Sequence, residues 1–99
     1  MDLTKVENMS SKRENRWFVY FVRCNDDSLY CGVTTDIARR EREHNETIKG
    51  AKYTRVRRPV TMVYQLACTD RSAACKEEAR LKKLSKTQKE ALIHKEAIS

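Results

Sequence analysis

The chain of 99 residues is long enough for one domain with a modest core and too short for a large internal cavity. Lys and Arg number 21 against 14 Asp and Glu, and this net charge of +7 favours a polyanionic partner, nucleic acid before a membrane surface. No apolar run reaches membrane-spanning length and residues 1–15 are polar, so we expect a flexible tail, no membrane partner and a cytoplasmic protein.

The first patterned segment, residues 17–32, reads WFVYFVRCNDDSLYCG and predicts a β-hairpin. Residues 17–24 are rich in aromatic and β-branched side chains, which are typical of a strand. Both faces of this strand are apolar, so we expect a central strand that is covered on both sides. Asn25, Asp26 and Asp27 are residue types that favour a turn, and residues 28–33 form the second strand of the hairpin.

A helix and a basic loop follow the hairpin. Thr34-Thr35-Asp36 provides capping residues before IARREREHN, which predicts a helix that ends near Asn45. Residues 47–60 contain a glycine, a proline and basic residues without an acidic one, and we call this segment the basic loop.

The second half of the chain predicts one more strand and two helices. The strand covers residues 60–67, a helix covers 73–84 after the capping residues 69–72, and a last helix begins at Ser85 or Thr87. The order β-β-α-β-α-α predicts an α+β (mixed α/β) domain in which helices flank a small, three-stranded, mainly antiparallel sheet.

Two tyrosines and a glycine stand out in the hairpin. Tyr20 and Tyr30 lie one on each arm, and we expect cross-strand geometry to bring their rings together on one side of the sheet. Gly32 lies inside a strand, where glycine often marks the close approach of a backbone or a ligand.

The predicted helices carry further candidates for chemistry. Arg40 and His44 stand four residues apart and therefore share a helix face, which suits charge neutralisation on a phosphate and proton transfer. Glu77 and Glu78 interrupt the apolar side of the second helix, where a carboxylate needs a cation. Helix geometry does not choose between the two, and an ion pair with Arg80 or Lys82 is the alternative role.

The basic loop predicts a nucleic-acid contact or, equally, an ordinary solvated loop. Its candidate contacts surround one aromatic residue, and they are Lys52, Tyr53, Arg55, Arg57 and Arg58. Six residues lie between the two cysteines of each pair, Cys24 with Cys31 and Cys68 with Cys75, so we expect reduced hydrophobic thiols rather than a structural zinc site.

Together these residues resemble the GIY-YIG nuclease family, which is named for two tripeptides on adjacent hairpin strands. Phe18-Val19-Tyr20 stands in the first place and Tyr30-Cys31-Gly32 in the second. Arg40 and His44 match the helix that follows. The segments LYCGVTTDIARREREHN, GAKYTRVRRPV and KTQKEALI are similar to small stand-alone members of the family.

The resemblance extends to the glutamate helix and shows departures. SAACKEEARLKKL resembles the helix that carries the family's metal-binding glutamate, and the match selects Glu78. Phe18 replaces a glycine, Cys31 replaces an isoleucine, and LSKTQKEALI lacks an asparagine that repair and homing members often carry.

The resemblance implies one nuclease domain over residues 16–95, which hydrolyses DNA phosphodiester bonds in repair, recombination or processing. It implies a single Mg²⁺ or Mn²⁺ ion and one cleft lined by five side chains: Tyr20, Tyr30, Arg40, His44 and Glu78. The general base stays open among the two tyrosines and the histidine. The alternative is a nucleic-acid-binding module that keeps the fold with little or no catalysis, and a basic structural adaptor is a weaker third reading.

Overall fold

The computed structural model describes residues 16–98, so the predicted tail over residues 1–15 lies outside the described residues. In chain order the elements are β1 (Trp17–Arg23), β2 (Leu29–Thr34), α1 (Ile37–Glu46), α2 (Lys52–Arg55), β3 (Thr61–Cys68), α3 (Arg71–Lys82) and α4 (Lys86–Ile98). This architecture confirms the predicted α+β class. One difference is the short helix α2, which lies inside the basic loop.

The three strands form one antiparallel sheet in the order β2-β1-β3. The central strand is therefore β1, and β2 is an edge strand that follows it through the predicted turn. Asp27 adopts a φ of 71°, in the left-handed region that aspartate tolerates better than most side chains. The resulting register sets Tyr20 directly opposite Gly32.

Successive side chains of β1 point to opposite faces of the sheet and enter two separate cores. Val19 and Phe21 pack with Leu81 of α3, and we call this side the α3 face. Tyr20 and Val22 pack on the other side, which Ile37 of α1 helps to cover, and we call it the α1 face. The two faces of the central strand are covered as predicted.

Side-chain caps fix where the two longer connecting helices begin. The Asp36 carboxylate accepts a hydrogen bond from the Arg39 amide at 3.0 Å, and Asp70 accepts one from the Ala73 amide at 2.8 Å. These caps confirm the predicted capping segments. Within residues 16–98, no helix combines the length and the apolar character that crossing a bilayer requires.

Polar contacts fasten the basic loop to the end of α1. The Asn45 side chain donates to the Val60 carbonyl at 2.9 Å and accepts from the Val60 amide at 2.7 Å. Arg58 donates to the carbonyls of His44 at 2.6 Å and Thr47 at 2.5 Å, which have no helical partner at the end of α1. The loop is thus held on the α1 face.

Candidate active site

A buried hydrogen bond joins two of the predicted site residues, Tyr20 and His44. The Tyr20 hydroxyl lies 2.8 Å from His44 Nε2, and their rings meet edge to face. Tyr20 is 1% exposed and His44 is 0% exposed. Strand β1 and helix α1 each deliver one partner to the α1 face, so the sheet and the helix meet at this bond.

The third member, Arg40, contacts the same hydroxyl. Its Nε donates to the Tyr20 oxygen at 3.3 Å. Its Nη1 donates to Glu43 Oε1 and to the Lys49 carbonyl, each at 2.9 Å. The Arg40 guanidinium lowers the pKa of the Glu43 carboxyl, which is therefore ionised and holds the arginine in place. No residue within 16–98 accepts a hydrogen bond from Nη2, so that nitrogen can donate to a bound anion.

Gly32 makes room for Tyr20. A Cβ at position 32 would lie 2.5 Å from the tyrosine oxygen and 2.8 Å from its Cζ, closer than carbon atoms approach in proteins. Tyr20 therefore lies across the bare backbone of the neighbouring strand. The close approach that a glycine inside a strand suggested is made by this tyrosine.

Gly50 likewise allows a close approach, between the loop backbone and α1 on the other side of His44. A Cβ there would lie 2.8 Å from the Glu43 carbonyl oxygen and 2.9 Å from His44 Cα. The loop backbone can press against α1 only without that atom. These are the two glycines of the chain, and both allow backbone or side chain to close around His44.

Tyr30 borders the cluster without joining its hydrogen bonds. Its ring meets the His44 ring edge to face at 5.5 Å and lies nearly parallel to Tyr53 at 6.0 Å. Its hydroxyl has no hydrogen-bond partner among the described residues. Tyr30 is only partly buried, so this hydroxyl is available to a ligand.

Some basic side chains of the basic loop contact other parts of the protein, and others do not. Arg57 lies 3.8 Å over the Tyr53 ring and pairs with Asp26 of the hairpin turn, while Arg58 caps α1 as described above. Lys52 and Arg55 are exposed on α2 with no side-chain partner within residues 16–98. Of the predicted contacts, these two are the cations that are free to meet a phosphate.

Both glutamates of α3 form ion pairs along the helix. Glu77 pairs with Arg80, and Glu78 Oε2 lies 3.2 Å from Lys82 Nζ. These are the pairings that sequence analysis gave as the alternative role. Both carboxylates are about one-fifth exposed and remain reachable.

Glu78 extends from α3, a helix that packs on the face of the sheet opposite the tyrosine cluster. Helix α3 packs through Leu81 on the α3 face, whereas Tyr20 lies on the α1 face. Burial raises the pKa of the Cys31 thiol to about 11, and the nearby Glu78 charge adds to this rise. Cys31 follows Tyr30 in the edge strand, so Glu78 lies near the strand that carries one of the two predicted tyrosines. Contacts join four of the five predicted residues, and the fifth, Glu78, lies near the β2 strand that carries Tyr30 and Cys31.

Burial keeps the two central side chains neutral at neutral pH. It raises the pKa of Tyr20 to about 12, although the Arg40 hydrogen bond opposes the rise. Burial and the Arg40 charge lower the pKa of His44 to about 4. A neutral phenol and a neutral imidazole therefore share the buried bond.

Comparison with known proteins decides the family. The family model described as GIY-YIG catalytic domain matches residues 16–91. The chain belongs to the GIY-YIG family. In this GIY-YIG domain the second tripeptide supplies both Tyr30 and the Gly32 backbone on which Tyr20 lies.

Several relatives match this chain at high identity. A UPF0213 protein of Desulfotalea psychrophila is 57% identical over 77 residues, 78% of this chain and 70% of that protein. One of Vibrio cholerae is 51% identical over 89 residues, 89% of this chain and 86% of that protein. The solution NMR structure of a UPF0213 protein from Bacillus halodurans is similar at 40% identity with a TM-score of 0.51, over 80% of this chain and 83% of that one.

The donor atoms of this GIY-YIG domain suit a weakly held hard cation. Among the described residues, no three His, Cys, Asp or Glu side chains are grouped to hold a metal ion. Glu78 offers one carboxylate, and its partner Lys82 is half-exposed on a flexible stem that can move aside. A single carboxylate fits an ion such as Mg²⁺ that takes its other ligands from water and substrate phosphate.

Sequence reasoning missed two residues of the site. Glu43 lies three positions after Arg40, and that helical spacing of opposite charges could have revealed the pair. Thr54 is fully buried and lies 2.9 Å from His44 Nδ1. No spacing rule links Thr54 to the histidine, because the contact depends on how the loop folds back.

We expect Gly32→Ala to lower the free energy of unfolding by about 1–3 kcal/mol, because the added methyl forces Tyr20 away from His44. Urea titration measures the loss. Tyr20→Phe removes the nearest atom, so the alanine should cost less in that background. An equal cost in both backgrounds would contradict the packing described here.

We expect His44 to make the domain sensitive to acid. The unfolded chain protonates this histidine near its ordinary pKa of 6.5, but the folded domain does so only at about 4. Between these values the unfolded state binds more protons, so stability falls as pH falls, by up to about 3 kcal/mol. Unfolding at several pH values should show a smaller fall in His44→Gln and an unchanged fall in the exposed control His94→Gln. Equal falls in both variants would refute this assignment.

Proposed function

We propose that this protein is a metal-dependent endonuclease that hydrolyses DNA phosphodiester bonds, in repair, recombination or another DNA-processing reaction. The observation that carries the proposal is the cluster of Tyr20, His44 and Arg40, with the open Tyr30 beside it, in a chain of the GIY-YIG family. Phosphodiester hydrolysis needs cationic donors at the phosphoryl oxygens and a positioned water.

Arg40 is the residue proposed to bind the scissile phosphate. Its Nε and Nη1 are held by Tyr20, Glu43 and the Lys49 carbonyl, which leaves Nη2 for a ligand. A guanidinium fixed in this way loses little freedom when it binds, and it can stabilise the negative charge that grows in the transition state.

The two tyrosines are proposed to handle the attacking water. Tyr30 has an available hydroxyl, and Tyr20 presents an oxygen already bonded to Arg40. A phenol whose pKa is about 12 gives up its proton only where cations stabilise the phenolate, and Arg40 is such a cation. His44 is neutral and holds Tyr20 in place.

Glu78 is proposed to hold one Mg²⁺ or Mn²⁺ ion at the β2 edge. Such an ion, when bound, neutralises charge on the phosphate and on the leaving oxygen. Substrate on the α1 face would have to reach around the edge strand to meet that carboxylate. The two sides are adjacent there, because Tyr30 and Cys31 are consecutive residues.

A second candidate is a nucleic-acid-binding module with the nuclease fold and little catalysis. Two observations favour it: Glu78 is paired with Lys82 on α3, and LSKTQKEALI lacks an asparagine that repair and homing members often carry. Both candidates share DNA as partner. Cleavage assays separate them.

We expect Glu78→Gln to abolish cleavage while DNA binding persists or tightens, because the substitution removes a negative charge beside a polyanion. Glu77→Gln is the matched control, since it makes the same charge change one residue away, and it should cleave normally. Single-stranded, duplex and branched DNA are incubated with Mg²⁺, Mn²⁺ or chelator, and binding is measured in parallel.

Two outcomes would count against the enzyme assignment as stated. If the wild type cleaves none of these DNA forms with either metal, the binding module takes its place. If Glu78→Gln cleaves as fast as Glu77→Gln, the role of Glu78 is wrong although the protein is a nuclease.

We expect Lys52 and Arg55 to supply phosphate contacts. Each contact adds about 0.9 to the slope of log affinity against log salt on duplex DNA, so replacing both with alanine should reduce that slope by about 1.8. Arg58→Ala is the control: it should leave the slope nearly unchanged and lower stability by about 1–3 kcal/mol, because two carbonyls lose a charged donor. Unchanged affinity and slope in the double variant would refute the contact.

A further inference from the structure

Thr54 lies against the side of His44 that faces away from Tyr20. It is 0% exposed, and its Oγ1 is 2.9 Å from His44 Nδ1. The Ala51 amide approaches the same nitrogen at 3.4 Å. Helix α2 supplies the threonine, and Gly50 lets the loop come this close to α1.

The Ala51 amide makes the longer of the two contacts to Nδ1, at 3.4 Å, and it favours one ring tautomer by setting the direction of the shorter Thr54 contact. A backbone N–H can only donate, so it requires a lone pair on Nδ1. A proton on Nδ1 would face the amide hydrogen and deprive that amide of its acceptor. The unprotonated Nδ1 then requires that the Thr54 hydroxyl, 2.9 Å away, also donate, since two lone pairs at that distance repel.

The Ala51 carbonyl could also accept a hydrogen bond from the Thr54 hydroxyl, but it has other donors. The Ala51 carbonyl lies 2.9 Å from Oγ1, but it already accepts from the amides of Thr54 and Arg55 at 3.0 and 3.1 Å. The hydroxyl can therefore turn to His44 without leaving that carbonyl unpaired.

The tautomer of His44 decides which hydrogen bond its ring forms with Tyr20. With Nδ1 unprotonated, the proton of the neutral ring is on Nε2, which donates to the Tyr20 oxygen at 2.8 Å. Arg40 Nε donates to the same oxygen at 3.3 Å. Among the described residues no other hydrogen bond to this oxygen is formed, so in this tautomer the buried tyrosine oxygen accepts from two donors and does not give its proton to His44.

We propose that Thr54 is a positioning residue that holds His44 in its Nε2-protonated form, so that His44 donates a hydrogen bond to Tyr20 instead of accepting its proton. The expected effect on cleavage rests on the proposed function. The tautomer itself does not, because it is a property of the folded chain.

The tautomer is measured by ¹⁵N NMR of the imidazole nitrogens in the full chain. The chain has two histidines, so His94→Gln assigns the signals. We expect Nε2–H in the wild type, a gain of the Nδ1–H form in Thr54→Val, and the wild-type state in Thr54→Ser, which keeps the hydroxyl. An Nδ1–H histidine in the wild type, or an unchanged tautomer in Thr54→Val, would overturn the proposal.

Two further readouts follow the effect to Tyr20. The ionisation of Tyr20, followed by ¹³C NMR, should shift to higher pH in Thr54→Val and not in Thr54→Ser, because the valine weakens a donor to the phenolate. The cleavage kcat of Thr54→Val should fall roughly 10- to 100-fold at unchanged KM. If the wild type cleaves no DNA, the proposed function fails, and the wild-type tautomer still decides the role of Thr54.

Discussion

The buried hydrogen bond between Tyr20 and His44 is the contact on which the rest of the site depends. It joins the central strand to α1 at 2.8 Å, with both side chains closed to solvent. Tyr20 can reach the histidine only by lying across the bare backbone of Gly32. Arg40 is also positioned by this bond, because its Nε donates to the same tyrosine oxygen. The strand pairing that sets Tyr20 opposite Gly32 thus also sets the chemistry of the α1 face.

A polar cluster in a small core is stable only when each group has a partner. Within the part of the chain that the structure describes, every buried side-chain nitrogen and oxygen is hydrogen-bonded. The basic loop supplies the outer partners of His44, and Asn45 and Arg58 fasten that loop to α1. Several basic residues therefore stabilise the fold, and the positive charge available to a polyanionic partner is more local than the net charge indicates.

Sequence patterns predicted the parts of the molecule that local rules govern. The hairpin, the two capping segments and the central position of the first strand follow from residue alternation and from residue types that favour turns and caps, and the structure confirms them. Arg40 and His44 were found together because helical spacing is regular. The position of Thr54 and the inward turn of Arg58 depend on how a loop folds back, which no periodicity encodes. Helix geometry could not choose Glu78, and the side of the sheet from which it approaches depends on the packing of α3.

The most direct test of this account is single-turnover cleavage of DNA by Tyr20→Phe, with Tyr64→Phe as the matched control on the α3 face. Phenylalanine keeps the packing on Gly32 and removes only the oxygen that His44 and Arg40 hold. The account predicts a rate lower by about 100-fold or more for Tyr20→Phe and a wild-type rate for Tyr64→Phe. Equal rates for Tyr20→Phe and the wild type would contradict the claim that this buried cluster is the catalytic centre.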